Sequence, residues 1–149
     1  MKNLLLFLLL CSMLTFETWA QDVDKIKNSA LNGSIEHQVK MGDSFYLSDI
    51  VQRDYRKALE WYVKAAEQGF APVFIRLGNI YLSGLGIDRD FTKAYAWCSI
   101  AEDELTTISD LDKKSCLKEA ISQLDTEQLK EAKELSEEYK GLYVKPFRE

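Results

Sequence analysis

The chain has 149 residues, of which 46% are hydrophobic and 29% are charged, and its formal net charge is −5. This balance is typical of one globular domain and excludes a disordered chain, while the negative charge argues against nucleic acids and anionic membrane surfaces as partners. Two prolines and one histidine exclude proline-rich architectures and any metal site with several histidine ligands.

Residues 1–20 have the pattern of a secretory signal peptide. Lys2 gives the positive start, an unbroken apolar run follows, and Ala20 ends the stretch with a small residue. The run is short for a membrane-spanning helix, which needs about 20 apolar residues. We therefore predict cleavage after Ala20 and a mature chain that is periplasmic or secreted. Lipidation at Cys11 is the alternative, although the bulky Leu10 precedes that cysteine.

The sequence repeats itself at a spacing of 36 residues. Sliding the chain by that distance aligns a series of residues without a gap. The aligned pairs include Gly33 and Gly69, Gly42 and Gly78, Asp54 and Asp90, Trp61 and Trp97, and Ala65 and Ala101. Self-similarity at this period is typical of helical solenoids, in which each unit buries its apolar face against its neighbour.

Each unit is predicted to be a pair of helices joined by a turn. From the apolar periodicity, the predicted helices cover residues 34–47, 55–68, 70–83 and 91–103. Asp54 and Asp90 stand where an N-cap residue accepts hydrogen bonds from backbone amides. Gly69 fits a C-cap, and Gly84 and Gly86 suit a turn that requires positive φ.

A helical cap is predicted after the two units. Its first helix covers residues 109–123, with an apolar side made of Leu111, Leu117 and Ile121. Asp125 and Gln128 form a capping-box pattern for a highly charged last helix, which we predict to run through Tyr139 and to stop at Gly141. The predicted boundaries are therefore a repeat domain at 21–141, with units at about 30–65 and 66–103, a cap at about 109–141 and a tail at 142–149.

The predicted mature chain keeps two cysteines, Cys98 and Cys116. Their midpoint lies at residue 107, inside the predicted turn between two helices. In an antiparallel helix pair, two residues equally far from the turn lie side by side along the helix axes, which permits a disulfide if both side chains face inward. An oxidising compartment favours a disulfide between them. Two buried free thiols are the alternative.

Two segments resemble a known family. Residues 57–69, KALEWYVKAAEQG, look like the second helix of a Sel-1-like repeat, a relative of the tetratricopeptide repeat, and residues 77–87, LGNIYLSGLGI, look like its first helix and turn. The resemblance covers residues 28–103 and implies an all-α, right-handed solenoid of two helix pairs with a helical cap. Ser48 and Ile50 replace the turn glycines of the first unit, which predicts a tighter or distorted turn there.

The resemblance also implies a binding groove along the first helix of each unit. By analogy with tetratricopeptide repeats, the lining residues are Glu36, Val39, Asp43 and Tyr46 in the first unit and Pro72, Ile75, Asn79 and Leu82 in the second. These side chains make an apolar, mildly acidic groove that suits a segment of a partner protein with apolar anchors. The alternative is that the charged last helix or the tail fills the groove.

Catalytic and metal-binding patterns do not emerge from the sequence. His37 is the only histidine, so a Ser-His or Cys-His nucleophile has one candidate base, and its place within a predicted helix beside apolar neighbours favours a structural role. A zinc site built from His37, Cys98 and Cys116 lacks a fourth ligand. We therefore predict no enzymatic activity, no metal and no cofactor.

The sequence is best interpreted as a non-catalytic protein-binding module of the cell envelope, with a protein partner and no membrane span in the mature chain. One alternative is a periplasmic immunity protein that neutralises a secreted toxic effector, because small exported Sel-1-like proteins resemble such immunity proteins. The other is binding or hydrolysis of β-lactams, as in cysteine-rich relatives. Those relatives carry a cysteine pair in each unit, whereas this mature chain has one pair in total.

Overall fold

The computed structural model describes residues 21–48, 51–104 and 110–144. The predicted signal peptide, the turn position Ile50 and the last residues of the tail lie outside the described residues. The helices are α1 (21–31), α2 (Ile35–Leu47), α3 (Tyr55–Glu67), α4 (Phe74–Ser83), α5 (Phe91–Glu104), α6 (Asp110–Ser122) and α7 (Thr126–Tyr143), with a 3₁₀ turn at Ala71–Val73 before α4. The described chain is all-α, as predicted.

The two helix pairs, α2–α3 and α4–α5, begin their second helices with the same local chemistry. The Asp54 side chain accepts a hydrogen bond from the backbone N–H of Lys57 at 3.1 Å, and Asp90 accepts one from the N–H of Lys93 at 2.9 Å. Each bond satisfies an amide that has no partner inside the helix. Both N-cap predictions are confirmed. Gly69 follows α3 with φ +84°, as a C-cap glycine should.

The structure describes Ser48, one of the two residues that replace glycines in the turn after α2. Ser48 adopts φ 64° and ψ 35°, and the aligned Gly84 after α4 adopts φ 68° and ψ 40°. The two residues therefore share the left-handed conformation that ends each first helix, and the Ser48 position is not distorted. Serine has a Cβ, so the same conformation costs it about 1 kcal/mol more than it costs glycine.

The helix α1 packs on the first unit through a small apolar cluster and an amide network. Gln38 is buried and donates from Nε2 to the carbonyl of Ala30 at 3.2 Å. Gln68 donates to the carbonyl of Gly33 at 3.0 Å and to Oε1 of Gln38 at 2.8 Å. These bonds join the turn after α1 to the end of α3.

The main core lies between the stacked helix pairs. Its buried members include two pairs of alanines that recur at the repeat spacing, Ala58 with Ala94 and Ala65 with Ala101. The larger buried side chains among them are Tyr62, Phe74, Leu77, Ile80 and Trp97. Trp61, aligned with Trp97, packs instead with Ala30 and Met41 beneath α1. Both tryptophans are buried.

Two helical glycines allow the helices of each pair to approach closely. A Cβ on Gly42 would lie 2.5 Å from Cε1 of Tyr62, which is shorter than any ordinary van der Waals contact. A Cβ on Gly78 would overlap Sγ of Cys98 and lie 3.3 Å from Sγ of Cys116.

The first cap helix, α6, packs against α5 and α4. Cys116 and Ala120 are buried and Leu117 is half-buried, whereas Ile121 is 40% exposed. The prediction that Ile121 belongs to the inward face is therefore wrong, because the face that meets the core is centred on Cys116 and Ala120, four residues apart. The side chain of Leu111 lies outside the described residues.

The last helix, α7, begins with the predicted capping box. Asp125 accepts from the N–H of Gln128 at 2.8 Å, and the Gln128 side chain accepts from the N–H of Asp125 at 3.0 Å. The helix does not stop at Gly141 but continues through Tyr143, so that prediction is wrong. The ring of Tyr143 lies 4.7 Å from the ring of Trp97, centroid to centroid, and this contact stabilises the last turn.

Candidate functional site

The predicted groove residues lie on α2, α4 and the 3₁₀ turn before α4. Glu36 and Asn79 are exposed, and Val39, Asp43, Tyr46 and Pro72 are half-buried. Ile75 and Leu82 are each 7% exposed and belong to the main core. The groove therefore presents less apolar surface than the sequence predicts.

Ile75 and Leu82 lie on a packed side of α4. Both residues share a side of α4 with Gly78, since the three positions are separated by about one helical turn each. The helix α6 packs on α4 and brings Cys116 to the surface of Gly78. Sγ of Cys98, on α5, lies on this side as well, so Ile75 and Leu82 belong to the packed core and not to the open groove that the analogy predicted.

Asp43 is the centre of a polar cluster that joins the two units. The Tyr62 hydroxyl of α3 donates to Oδ1 of Asp43 at 2.7 Å. Nε of Arg76, on α4, lies 3.5 Å from the same oxygen. The Asp43 side chain is only partly exposed, so it is held in one orientation while still reaching the surface. We call Asp43, Tyr62 and Arg76 the junction cluster.

The charges of the junction cluster are balanced within the chain. Burial raises the pKa of Tyr62, and its hydrogen bond to Asp43 raises the pKa further, so this phenol stays protonated and keeps donating. The Arg76 guanidinium lies 5.6 Å from the centre of the Tyr62 ring. Because Arg76 offsets the charge of Asp43, the groove is less acidic than its predicted lining residues imply.

The ring of Tyr46 packs against two other tyrosine rings beside the junction cluster. Its ring centre lies 5.3 Å from that of Tyr55 in an edge-to-face arrangement and 6.4 Å from that of Tyr62. Edge-to-face contacts at these distances are favourable. The structure therefore brings together Asp43 and Tyr46 of the predicted groove, and it adds Tyr62 and Arg76, which the sequence analysis did not select.

A weak signal for Arg76 exists in the sequence. The aligned position of the first unit is Lys40, so both first helices carry a basic residue at the same place. The link between Tyr62 and Asp43 joins residues that are 19 positions apart. No local pattern shows that pairing, since it depends on how α3 packs against α2.

The helix α7 packs on the second helices of the units. It lies mainly against α5 and also touches α3. Nζ of Lys140 forms an ion pair with Oδ2 of Asp103 on α5 at 2.8 Å. In the described part of α7, the main packing surface therefore faces the side opposite the predicted groove.

Cys98 and Cys116 form a disulfide, as predicted. Their Cα atoms are 6.1 Å apart, which lies within the usual range. Both residues are buried. The bond joins α5, in the second unit, to α6, in the cap.

His37 lies in the first turn of α2 rather than in its middle. Its Nδ1 is 2.7 Å from Oγ of Ser34, the N-cap residue of the same helix. The side chain is half-buried. His37 therefore contacts the N-cap residue at the start of α2, which is a structural interaction.

The described chain shows neither a cluster of metal-binding side chains nor a helix suited to a bilayer. Among the residues that the structure describes, no three His, Cys, Asp or Glu side chains form a group that would hold a metal ion. None of the helices in the described ranges combines the length and hydropathy that crossing a bilayer requires.

Comparisons with known proteins extend these observations. The family model of the Sel1 repeat matches residues 38–70 and 75–104. The crystal structure of c5321, described as a protective antigen present in uropathogenic Escherichia coli strains and displaying an SLR fold, matches with a TM-score of 0.72 and 31% sequence identity over 82% of this chain. That match covers 26% of the c5321 chain, so our chain spans about a quarter of its length.

A second solved structure is a Sel1 repeat protein from Oxalobacter formigenes. It matches with a TM-score of 0.48 and 20% identity, over 76% of this chain and 98% of its own. No curated protein sequence matches this chain at a significant level. The two family matches coincide with the helix pairs α2–α3 and α4–α5, and we conclude that the chain is a member of the Sel1-repeat family.

Proposed function

We propose that this protein is a non-catalytic interaction module of the cell envelope that binds a partner protein through the face formed by α2 and α4. Sel1 repeats are generally protein–protein interaction modules, which gives the functional class. The observation that carries the proposal is that α7, the long charged helix of the cap, packs mainly on α5 and α3 rather than on α2 and α4.

The chemistry of this face suits a polypeptide with mixed character. Tyr46 and Val39 offer half-buried apolar surface, and Glu36 and Asn79 offer exposed polar groups. The paired Asp43 and its arginine present both charges at fixed positions. A partner segment with one or two apolar anchors and hydrogen-bonding groups between them fits this arrangement.

The envelope location rests on two observations. Residues 1–20 carry the signal-peptide pattern, and the buried disulfide requires an oxidising step. Intact mass of the protein isolated from its native cell tests both. We expect a chain that begins at Gln21 and gains mass on alkylation only after reduction. A mass that retains residues 1–20 contradicts the proposed export.

Affinity capture tests the proposed binding face. The bait is the protein produced from the full-length chain, and the groove variant carries Glu36→Arg and Asn79→Arg. A matched variant carries Glu60→Arg and Glu131→Gln, exposed changes on α3 and α7 with the same total change of charge. We expect one stoichiometric partner that the groove variant loses and the matched variant keeps. Loss of the partner by the matched variant alone contradicts the proposed face.

The same capture separates the finer versions of the function. Recovery of a toxic effector, followed by protection of cells that express it, supports an immunity protein. Turnover of nitrocefin by the purified protein supports the β-lactam alternative. That alternative has less support, because the single disulfide joins the second unit to the cap and the first unit has no cysteine pair.

A further inference from the structure

The turn after α1 and the turn after α3 have the same backbone structure. Gly33 and Gly69 occupy aligned positions of the repeat and adopt φ +90° and φ +84°. Each glycine N–H donates to the carbonyl three residues earlier, at 3.1 Å for Gly33 and 2.8 Å for Gly69. In both turns the following N–H donates to the carbonyl five residues earlier, at 3.1 Å. This pair of bonds is a Schellman motif, which ends both helices.

The residue before the glycine is what distinguishes the two turns. It is Asn32 in the first turn and Gln68 in the second, and both are exposed. Asparagine is one of the thermolabile residues of proteins, because the next backbone nitrogen can attack its side-chain amide and close a five-membered ring. The same attack on Gln68 needs a six-membered ring, which forms less readily. Gly33 has no side chain to hinder the attack, and a Cβ there would meet no atom within 4 Å.

We propose that Asn32 is a site of spontaneous deamidation and that the modified turn loosens α1 from the first unit. The nitrogen of Gly33 bonds to Cγ of Asn32, and its proton leaves with the amide nitrogen as ammonia. Water then opens the cyclic imide at either carbonyl, which gives aspartate or isoaspartate at position 32. One ammonia leaves and one water enters, so nothing is oxidised or reduced. Neither step needs a partner or rests on the proposed binding function.

The folded turn slows this reaction without preventing it. The N–H of Gly33 is bonded to the carbonyl of Ala30, so that bond has to open before the nitrogen can attack. The bond lies at the end of α1, and helix ends open more readily than helix interiors. Asn28 and Asn79 are exposed as well, but they lie inside helices and precede residues that carry side chains. We therefore expect Asn32 to react first.

The turn that deamidation alters also holds α1 to α3. The carbonyl of Gly33 accepts from Nε2 of Gln68 at 3.0 Å, and Gln68 also donates to Oε1 of Gln38 at 2.8 Å. The buried Gln38 donates in turn to the carbonyl of Ala30, which packs with Trp61. Isoaspartate adds a carbon to the main chain just before Gly33 and so displaces this carbonyl. Either product also places a carboxylate at the C-terminal end of α1, where the helix dipole disfavours it.

Peptide mass spectrometry after incubation at mildly alkaline pH tests the modification site. We expect a gain of one mass unit at Asn32, with Asn28, Asn79 and Gln68 unchanged, and fragment ions that distinguish isoaspartate from aspartate. The protein unfolded in urea is expected to react about fivefold faster, the factor for opening one hydrogen bond of typical net strength. The incubation covers several half-lives at the slower rate. Retention of the Asn32 amide in the folded protein overturns the proposal, and so does an equal gain at Asn28.

Hydrogen exchange tests the consequence for α1. The variant Asn32→Gln gives the first turn the Gln-Gly sequence of the second, so we expect it to keep the fold and to stay unmodified. Aged wild type is compared with fresh wild type and with the aged variant. We expect the amides of α1 to exchange about fivefold faster in aged wild type alone, since at least one hydrogen bond of the turn is lost, while α4 and α5 keep their rates.

Two results would overturn the loosening of α1. One is unchanged protection of α1 in the modified fraction of the wild type. The other is an equal change in aged Asn32→Gln, which would assign the effect to ageing elsewhere in the chain. Neither measurement needs a partner, so failure of the capture experiment remains a separate result.

Discussion

The two helix pairs use the same geometry and different chemistry at their closest approach. In the first unit Gly42 receives the ring of Tyr62, and in the second Gly78 receives Sγ of Cys98. Tyr62 and Cys98 are separated by the repeat spacing of 36 residues, so they occupy aligned positions. The glycine is thus the repeated feature, while the side chain that it accommodates is free to differ.

The starts of the second helices show the opposite behaviour. Nζ of Lys57 lies 3.2 Å from Oδ2 of Asp54, and Nζ of Lys93 lies 3.0 Å from Oδ2 of Asp90. Each lysine also lies 5.4 Å from an aromatic ring, that of Phe45 in the first unit and that of Tyr81 in the second. The contacts at the start of the second helix are therefore the same in the two units, whereas the contacts at the two junctions differ.

This difference assigns separate attachments to the two junctions. The junction cluster joins the first unit to the second through a hydrogen bond and an ion pair. The disulfide joins the second unit to the cap through a covalent bond. Removing the Tyr62 hydroxyl weakens the first attachment, and reducing the disulfide breaks the second. Each junction can therefore be perturbed without changing the other.

The largest expected effect is that of Gly78→Ala. The added Cβ overlaps Sγ of Cys98, which the disulfide fixes in place, so relief requires movement of α5 or α6. We expect a loss of about 3 kcal/mol in the free energy of unfolding, at the upper end for overpacked cores. Urea denaturation of the oxidised protein measures it. If Gly78→Ala lost less unfolding free energy than Gly42→Ala, the disulfide beside Gly78 would yield more easily than the Tyr62 ring beside Gly42.

The next effect is that of Tyr62→Phe, which removes the hydroxyl group from the junction cluster. We expect a loss of about 1.5 kcal/mol in the free energy of unfolding, because a buried hydrogen bond to a carboxylate disappears while Arg76 still pairs with Asp43. Urea denaturation at neutral pH measures the loss. The variant Tyr55→Phe is the control, since its ring contact with Tyr46 does not need the hydroxyl.

The pH dependence gives a second test of Tyr62. The pKa of Tyr62 is raised in the folded protein, so its contribution to stability is fully present below the unfolded pKa of about 10 and is lost as the pH rises toward the folded value. We expect stability to fall above about pH 10, and to fall less steeply in Tyr62→Phe. Equal slopes in the two proteins would contradict the burial of this phenol.

A smaller effect of opposite sign is expected from Ser48→Gly. Ser48 holds the left-handed conformation that Gly84 adopts at the aligned position, and glycine adopts it without the contact of a Cβ. We expect a gain of about 0.7 kcal/mol in the free energy of unfolding, after the greater flexibility of the unfolded glycine chain is subtracted. The reverse change, Gly84→Ser, is expected to be destabilising. If the free energy of unfolding rose in both Ser48→Gly and Gly84→Ser, the left-handed backbone at these positions would not be what limits stability.

The smallest effect is that of Gly141→Ala, which sharpens the comparison of the helical glycines. Gly141 lies inside α7, and a Cβ there would meet no atom within 4 Å. We expect a gain of about 0.5 kcal/mol from helix propensity near the end of the helix. Thermal denaturation of the oxidised protein detects it as a small rise in Tm. A destabilising Gly141→Ala would mean that the losses at Gly42 and Gly78 do not come from close contact alone.

The sequence predicts the repeated and local features of this fold well. Asp54, Asp90 and Asp125 act as N-caps because capping depends on residues within one turn of each other. The helix pairs follow from the apolar periodicity. The disulfide follows from the spacing of Cys98 and Cys116 around a turn.

The features that the sequence did not reveal depend on tertiary contacts. The helix α7 continues past Gly141 because the ring of Tyr143 packs on Trp97. Ile75 and Leu82 are buried in the main core, which the analogy with tetratricopeptide repeats did not predict. In each case the outcome depends on which helix packs next to a residue, and no local pattern contains that information.

The disulfide also changes how the chain would extend under mechanical force. The bond crosses the boundary between α5 and α6 and joins cysteines that are 18 positions apart in the sequence. If the chain is pulled from its two ends, the segment between Cys98 and Cys116 stays behind the cross-link and contributes no contour length. The first unit, which has no such bond in its described part, extends completely. An oxidised molecule would therefore reach a shorter final extension than a reduced one, while α7, which follows Cys116, extends in both.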